Sequence, residues 1–393
     1  MTSLLNPDPA ALPRPGRDEL AAWLRLSLTH GVGPATTLTL LSAFGSPRAI
    51  LGATHAEVSR VAGAALATRL VKPDPDIDAA VEHTLDWVEE PGHALLTLAD
   101  PCYPRTLLDI ADPPPLLYVS GHFNALQRPA LAIVGSRHAS VSGNQTARAF
   151  AAHLAGQGLT IVSGLARGID TAAHQGALSV NGLTLAVLGT GLDRVYPAAN
   201  RTLADGVQAH GALITELPLG TGPQRANFPR RNRLIAGLTG GVLVVEAARR
   251  SGSLITARLA AESGREVFAI PGSIHSPLAR GCHQLIRDGA RLVESADDIL
   301  SELRPDFLRD AARFRPIPII GRLAESGNHT QVKAIPDAAA QLLEQLGWDP
   351  VSYDSLTHTM PADAGTIDEM LLILELAGYL ERLPDGRLRR LPG

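Results

Sequence analysis

A chain of 393 residues with 45% apolar content predicts two or three domains with well-filled cores. No apolar run approaches the ~20 residues needed to span a bilayer, and no signal-peptide h-region opens the chain. The two cysteines, Cys102 and Cys282, are too far apart in sequence for a metal cluster or a disulfide framework, so a cytosolic protein is expected. A net charge of −4 excludes a chain that is basic all over, but 33 of the 35 cations are arginines, the side chain suited to bidentate phosphate contact and to stacking on bases. A GC-rich genome would explain that bias equally well.

In chain order, residues 1–17 are Pro-rich and expected to be disordered. Residues 18–90 read as a helical domain, with Glu19 to Leu28 amphipathic, a break at His30-Gly31-Val32-Gly33-Pro34, and a second helix over Ala35 to Phe44. Apolar-Gly-x-Gly between helices is similar to a helix-hairpin-helix, whose turn amides face a DNA phosphate. A weaker copy lies at Val58 to Leu70, broken by Gly63. Few cations flank either hairpin, which favours a plain helical bundle using glycine for tight turns.

From residue 91 to 304 the period changes. Short apolar runs at Ala94–Leu98, Leu116–Val119, Leu131–Val134, Thr160–Val162, Leu185–Leu188, Leu213–Ile214, Val242–Val245, Val267–Ile270 and Arg291–Val293 predict strands. Helical stretches fall between them, at Thr146–Gly156, Ile169–Ser179, Asn200–Ala209, Arg230–Ala236, Leu254–Glu262 and Cys282–Arg287. This alternation means an α/β, Rossmann-like parallel sheet with helices on both faces, and strands apolar all round agree with burial on both sides. Residues 305–336 read as a Pro/Gly-bearing linker. In residues 337–393, three helices followed by a hairpin describe a winged helix-turn-helix. Its expected reader helix, Thr366–Gly378, holds Asp368, Glu369 and Glu375 and no Lys or Arg. Protein binding is therefore the expected role, and the wing's Arg387, Arg389 and Arg390 offer at most weak phosphate contact.

The sheet's chemistry concentrates in strand-to-helix turns. The first strand opens through Gly135-Ser136-Arg137 and the second through Ser163-Gly164-Leu165-Ala166-Arg167-Gly168, aiming backbone amides and helix N-termini at an anion. Neither has the G-x-G-x-x-G spacing or the acidic strand end of an NAD(P) site, and no Walker A lysine exists. The densest cationic cluster, Gln224 to Arg233, combines four arginines with Asn227, Asn232 and Phe228. Cations suit a phosphodiester chain, and an unpaired base gains ~1–3 kcal/mol by stacking on an aromatic face. Phe228 as a core anchor for the loop is the plainer alternative. One or two of the arginines are expected to turn inward to Glu216 or Glu246. A third turn, Arg249-Arg250-Ser251-Gly252-Ser253, adds hydroxyls and amides. The histidines, His138, His174, His275 and His283 among them, lack metal-ligand spacing.

The segments AIVGSR (132–137), SGLARGID (163–170), AHQGAL (173–178), LGTGLDRVYPAANR (188–201), ITELPLG (214–220), NFPRRNRLIAGL (227–238), EAARRSGSLITA (246–257) and FAIPGS (268–273) stand in the order seen in the DNA-processing protein A (DprA/Smf) family, which the chain resembles over roughly residues 100 to 300. More loosely, residues 18–90 resemble its sterile-alpha-motif-like domain and 337–393 its winged helix. The resemblance implies a non-enzymatic, cofactor-free homodimer joined through the Rossmann domain. Such a protein binds single-stranded DNA, protects incoming strands in natural transformation, and loads RecA onto DNA coated by single-strand-binding protein. It implies Arg137 as the main phosphate contact, Ser163, Gly164, Arg167 and Gly168 as the pocket wall, Arg225 in place of a DNA-binding lysine, and Phe228 as the wedge between bases. With Gly135, Ser136, Asn227, Arg231, Asn232, Gly252 and Ser253 these make the expected DNA-binding set. The rival is a phosphoribohydrolase on the same Rossmann variant. Its catalytic glutamate, however, is replaced here by Thr256, so hydrolysis through an oxocarbenium ion should be slow. Glu246, at a strand end, is the substitute carboxylate, although pairing with a pocket arginine is the expected role for it.

Overall fold

The computed structural model describes residues 15–72, 74–303, 307, 336–346, 350–359, 364–383 and 385–391. The expected disorder of residues 1–17 and the linker at 305–336 fall almost wholly outside them. Six helices come first: α1 (Arg17–Leu28), α2 (Pro34–Phe44), α3 (Pro47–Gly52), α4 (His55–Ala62), α5 (Ala64–Val71) and α6 (Pro75–Glu89). Their starts follow local chemistry. Ser46 caps α3 by accepting from the Ala49 amide, Thr54 and Glu57 form a reciprocal capping box on α4, and Asp74 with Pro75 opens α6. Leu26, Leu40, Ile50, Val58, Leu66 and Leu70 close one core among these helices. Leu20, Trp23 and Leu24 of α1 and Val81 and Leu85 of α6 instead share a core with Leu95, Leu116 and Tyr118 of the first two strands. The helical segment is thus mounted on the sheet. In the expected hairpin turn, the His30 carbonyl accepts from Arg69 at 3.1 Å, tying the turn to α5.

The nine strands are β1 (His93–Thr97), β2 (Leu116–Gly121), β3 (Ala130–Val134), β4 (Thr160–Ser163), β5 (Thr184–Val187), β6 (Ala212–Thr215), β7 (Gly241–Val244), β8 (Glu266–Ala269) and β9 (Arg291–Leu292). They form one sheet in the order β1-β2-β6-β5-β4-β3-β7-β8-β9. From β6 to β9 the pairing is parallel, as the alternation requires. The expectation of parallel strands throughout fails at one edge, where β1 pairs β2 and β2 pairs β6 antiparallel. Between the consecutive strands β1 and β2 the described chain forms only the short 3-10 turn Arg105–Asp109, with no crossover helix of the kind that joins parallel neighbours.

The sheet helices are α7 (Val141–Gly156), α8 (Ile169–Ser179), α9 (Arg201–His210), α10 (Asn227–Gly237), α11 (Ser253–Glu262), α12 (Arg280–Arg287) and α13 (Ala296–Glu302). Alternate strand residues face opposite layers. Ala132, Val134, Val162 and Val244 meet α10 and α11 through Leu234, Ile235, Ala257 and Ala260. Leu131, Ile133, Ile161 and Leu243 meet α7 and α8 through Phe150, Leu154, Ala172 and Ala173. The chain steps outward from β3 to β6, then returns to place β7 on the other side of β3. That reversal opens a crevice at the carboxyl ends of β3 and β7, where open α/β sheets bind ligands.

The C-terminal unit is described by itself. Helices Asp337–Gln345, Tyr353–Thr359 and Ala364–Leu376 enclose a core of Leu342, Leu346, Leu356, Ile367, Leu371 and Leu374. The hairpin β10 (Leu380–Arg382) and β11 (Leu388–Arg390) completes it. Among the described residues no helix is long and apolar enough to cross a membrane.

Candidate nucleic-acid interface

The crevice is a cleft of about 790 Å³, built from the turns after β3 and β7 and from the N-terminal half of α10. The turn after β3 carries Gly135, Ser136 and Arg137, and the turn after β4 braces it from behind. The Ile169 amide donates to the Ser136 carbonyl at 3.2 Å. Gly168, at φ +75°, lies so close to that carbonyl that any Cβ would strike it. Ser163 is fully buried and its Oγ donates to the Ile133 carbonyl at 2.7 Å, fixing β4 to β3. The turn after β7 supplies Arg250, Ser251, Gly252 and Ser253; the Ser251 and Ser253 hydroxyls meet at 2.7 Å, and Asn232 of α10 donates to the Gly252 carbonyl at 3.2 Å.

Beneath the cleft lies a guanidinium. Arg231 is 5% exposed and donates to the carbonyls of Gly164, at 2.7 Å, and Val187. It lies flat against Gly164, where a Cβ would run into it. Burial lowers its pKa to about 10, with the Asp170 carboxylate opposing that fall and Arg137 adding to it, so it remains a cation at neutral pH. The Asp170 carboxylate accepts from the amides of Gly164, at 3.1 Å, and Ala166, at 3.3 Å, holding the second turn closed. Burial pushes its pKa up, against the pull of Arg231 and those amides.

His174, fully buried on α8, reads from its hydrogen bonds. Thr184 spends its hydroxyl proton on the Ile161 carbonyl at 2.8 Å, so the imidazole Nδ1–H donates to the Thr184 oxygen at 2.7 Å. The ring is neutral, and burial first and Arg231 second lower its pKa to about 3. An unfolded chain takes up this proton below about 6.5, the native chain only near 3. Stability from the neutral ring is therefore present above pH 6.5 and falls as pH drops, by about 1.4 kcal/mol per unit. Urea unfolding at pH 7 and pH 5 should show a loss about 2 kcal/mol larger for the parent than for His174→Asn. Equal losses would mean the ring is protonated in the native state.

At the mouth, the Arg137 guanidinium sits over the Phe228 ring, 5.5 Å from its centroid, and the Tyr196 ring stands 5.6 Å from Phe228 at 47°. Arg137, Arg225 and Arg250 are exposed, line the cleft and have no acidic partner among the described residues. The two flanking arginines are otherwise engaged. Glu216 accepts from Arg230 at 3.0 Å and from Arg233; Arg233 is buried, as expected for an inward-turned member of the cluster, whereas Arg230 reaches the carboxylate from the exposed side. Asp170, 7% exposed and bound to two amides, is the one carboxylate lining the cleft, and Thr256 lines it where the rival hydrolase needs a glutamate. No group of three His, Cys, Asp or Glu among the described residues is placed to hold a metal.

With this geometry, the chain matches the family model of DNA recombination-mediator protein A over residues 94–304 and that of the DprA winged helix domain over residues 330–393. It is 43% identical to protein Smf of Escherichia coli over 79% of this chain and 82% of that protein, and 34% identical to protein Smf of Synechocystis over 95% and 99%. The X-ray structure of DNA processing protein A from Streptococcus pneumoniae superposes with a TM-score of 0.64 at 39% identity, covering 74% of this chain and 99% of that one. The chain belongs to the DNA recombination-mediator protein A family.

In this family member the expected DNA-binding residues divide in two. Gly135, Ser136, Arg137, Arg225, Phe228, Arg231, Asn232, Gly252 and Ser253 line the cleft. Ser163, Gly164 and Gly168 lie behind it and position the turn, Asn227 opens α10, and Arg167 is exposed outside the lining. Of the lining residues outside the expected set, Tyr196 adds a second aromatic ring and Arg250 a further cation. Both stand inside quoted motifs, but only the folded sheet brings residue 196 beside 228. In the C-terminal unit the wing's cations are already engaged: Arg387 with Asp385, Arg389 with Glu381, and Arg390 with the Leu343 carbonyl at 3.0 Å. The third helix exposes Leu372 and Leu376 instead. Arg387→Ala is expected to change single-stranded DNA affinity less than about twofold, because a surface cation with an internal partner adds little. A tenfold loss in a titration would assign the wing to DNA.

Proposed function

We propose that the protein binds single-stranded DNA in this cleft as a recombination mediator and not as an enzyme. In this reading it shields incoming strands during natural transformation and, as a homodimer joined through the sheet domain, hands DNA coated by single-strand-binding protein to RecA. The observation that carries the reading is the Arg137 guanidinium poised over the Phe228 ring, with Arg225 and Arg250 on the same cleft. Three unpaired cations suit successive phosphates, and aromatic rings at their centre suit bases that a duplex would hide. Membership of a family described as recombination mediators, with relatives called DNA processing proteins, supports it. Thr256 in the cleft counts against nucleotide hydrolysis.

Fluorescence anisotropy of a labelled single-stranded oligonucleotide, with duplex competitor, tests the reading. Binding should resist duplex, and log K should fall with log salt at a slope of about −2, for three neutralised phosphates. Preference for duplex, or cleavage of a nucleoside monophosphate at an enzymatic rate, would overturn it.

A further inference from the structure

Tyr196 is the one exposed aromatic among the described residues, at 48% of its surface. Its loop is stapled on both sides. The Thr190 hydroxyl donates to the Arg194 carbonyl at 2.6 Å, the Gly191 amide to Thr221 at 2.9 Å, the Gly220 amide to Asp193 at 2.8 Å, and the Asn200 amide to Pro197 at 3.0 Å. A loop fastened this firmly holds a half-exposed ring at the lip of the cleft.

The neighbouring ring is more crowded. Phe228 has Arg137 over its face and Gly189 against its edge, where a Cβ would come within 2.9 Å. A flat base sandwiched between two parallel rings needs roughly 7 Å, two aromatic thicknesses. Tyr196 and Phe228 stand 5.6 Å apart and 47° from parallel, so no base slots between them. Each ring instead offers its own surface in a different plane, that of Tyr196 exposed and that of Phe228 beneath the Arg137 guanidinium. Adjacent bases of a single strand can splay to meet such planes; a stacked duplex cannot, and a mononucleotide has only one base to offer.

Resting on the single-stranded DNA reading above, we infer that Tyr196 is a second stacking platform, receiving the base next to the one held at Phe228. The smallest complete ligand of the cleft is then two unpaired nucleotides and their phosphates. Nothing in this arrangement reads a base edge, so the preference is for unpaired bases of any sequence.

Anisotropy titrations with the full chain and Tyr196→Ala, Tyr196→Phe and Tyr196→Leu test the inference, each on two strands. One is oligothymidylate, and the other is an equally long strand of abasic spacers that keeps the phosphates. Tyr196→Ala and Tyr196→Leu should weaken oligothymidylate binding about 5- to 150-fold, the range for losing one stacked base. Tyr196→Phe, which keeps the ring, should match the parent. On the abasic strand all four proteins should bind alike. Equal binding of oligothymidylate by Tyr196→Ala and the parent would overturn the platform. So would equal losses on both strands, which would mean a shifted loop, or a loss with Tyr196→Phe, which would mean the hydroxyl. A parent that binds neither strand would overturn the single-stranded DNA reading itself, a result distinct from the others.

Discussion

An Arg231→Leu variant is expected to melt roughly 10 °C below the parent, reflecting about 3–5 kcal/mol of lost stability. The substitution keeps an apolar side chain of fair size under the cleft but strands three groups. The Gly164 and Val187 carbonyls, deep between β4 and β5, lose their donor. Asp170, already pushed toward its neutral form by burial, loses the nearest cation offsetting that burial. Unsatisfied buried acceptors cost about 1–3 kcal/mol each, which is why this arginine outranks any surface ion pair in the molecule. Adding Asp170→Asn should recover part of the loss, since an amide oxygen still accepts from the Gly164 and Ala166 amides and carries no charge. Calorimetry on the single and double variants checks both steps. A single variant melting within 2 °C of the parent would mean that water reaches the carbonyls and the guanidinium is dispensable.

Arg231 also shows where sequence reading stops. The run Arg225 to Arg233 is legible as a cation cluster, and Glu216 as a partner for some of it. Which arginine goes where is a matter of helical phase. On α10, Arg231 and Arg233 turn toward the sheet with Leu234 and Ile235, whereas Arg230 stays on the outer side and Arg225 precedes the helix altogether. The central strands were legible because each is a short apolar run buried on both faces, and β3 to β9 pair in parallel with one another as that pattern demands, although the edge strand β9 is exposed. The antiparallel edge was not, because pairing direction at β1 and β2 depends on β6, about 90 residues away. α13 passed unnoticed for a different reason: it is short, and its start is signalled only by the Ser295–Asp298 capping box. In the cleft, glycine-turn chemistry pointed to Arg137, and aromatic scarcity made Phe228 stand out. Tyr196 carried no such signal in the sequence, as a lone tyrosine before proline.

Arg137→Ala should weaken single-stranded DNA binding about 10- to 100-fold at low salt, the worth of a charge-assisted contact to phosphate. Its salt dependence should flatten as well, the slope becoming less negative by about 0.7 for the one phosphate no longer neutralised. Stability should hardly change, because the guanidinium is exposed and rests on the face of Phe228, a contact worth about 0.5–1 kcal/mol at such a site. That contact has a second consequence. In the free protein Arg137 covers a ring that a base would use, so strand binding must exchange a cation–π contact for a phosphate contact and a stacked base. Arg137→Lys separates charge from geometry: a lysine keeps the neutralised phosphate, and hence the parent's salt slope, but lacks the planar fork that can lie over Phe228 and grip two oxygens. An intermediate affinity with the parent's slope is the expected result. If Arg137→Ala bound as tightly as the parent at every salt concentration, the strand would have to lie elsewhere, on the helical segment or the winged helix. The cleft's three unpaired arginines would then need another anion.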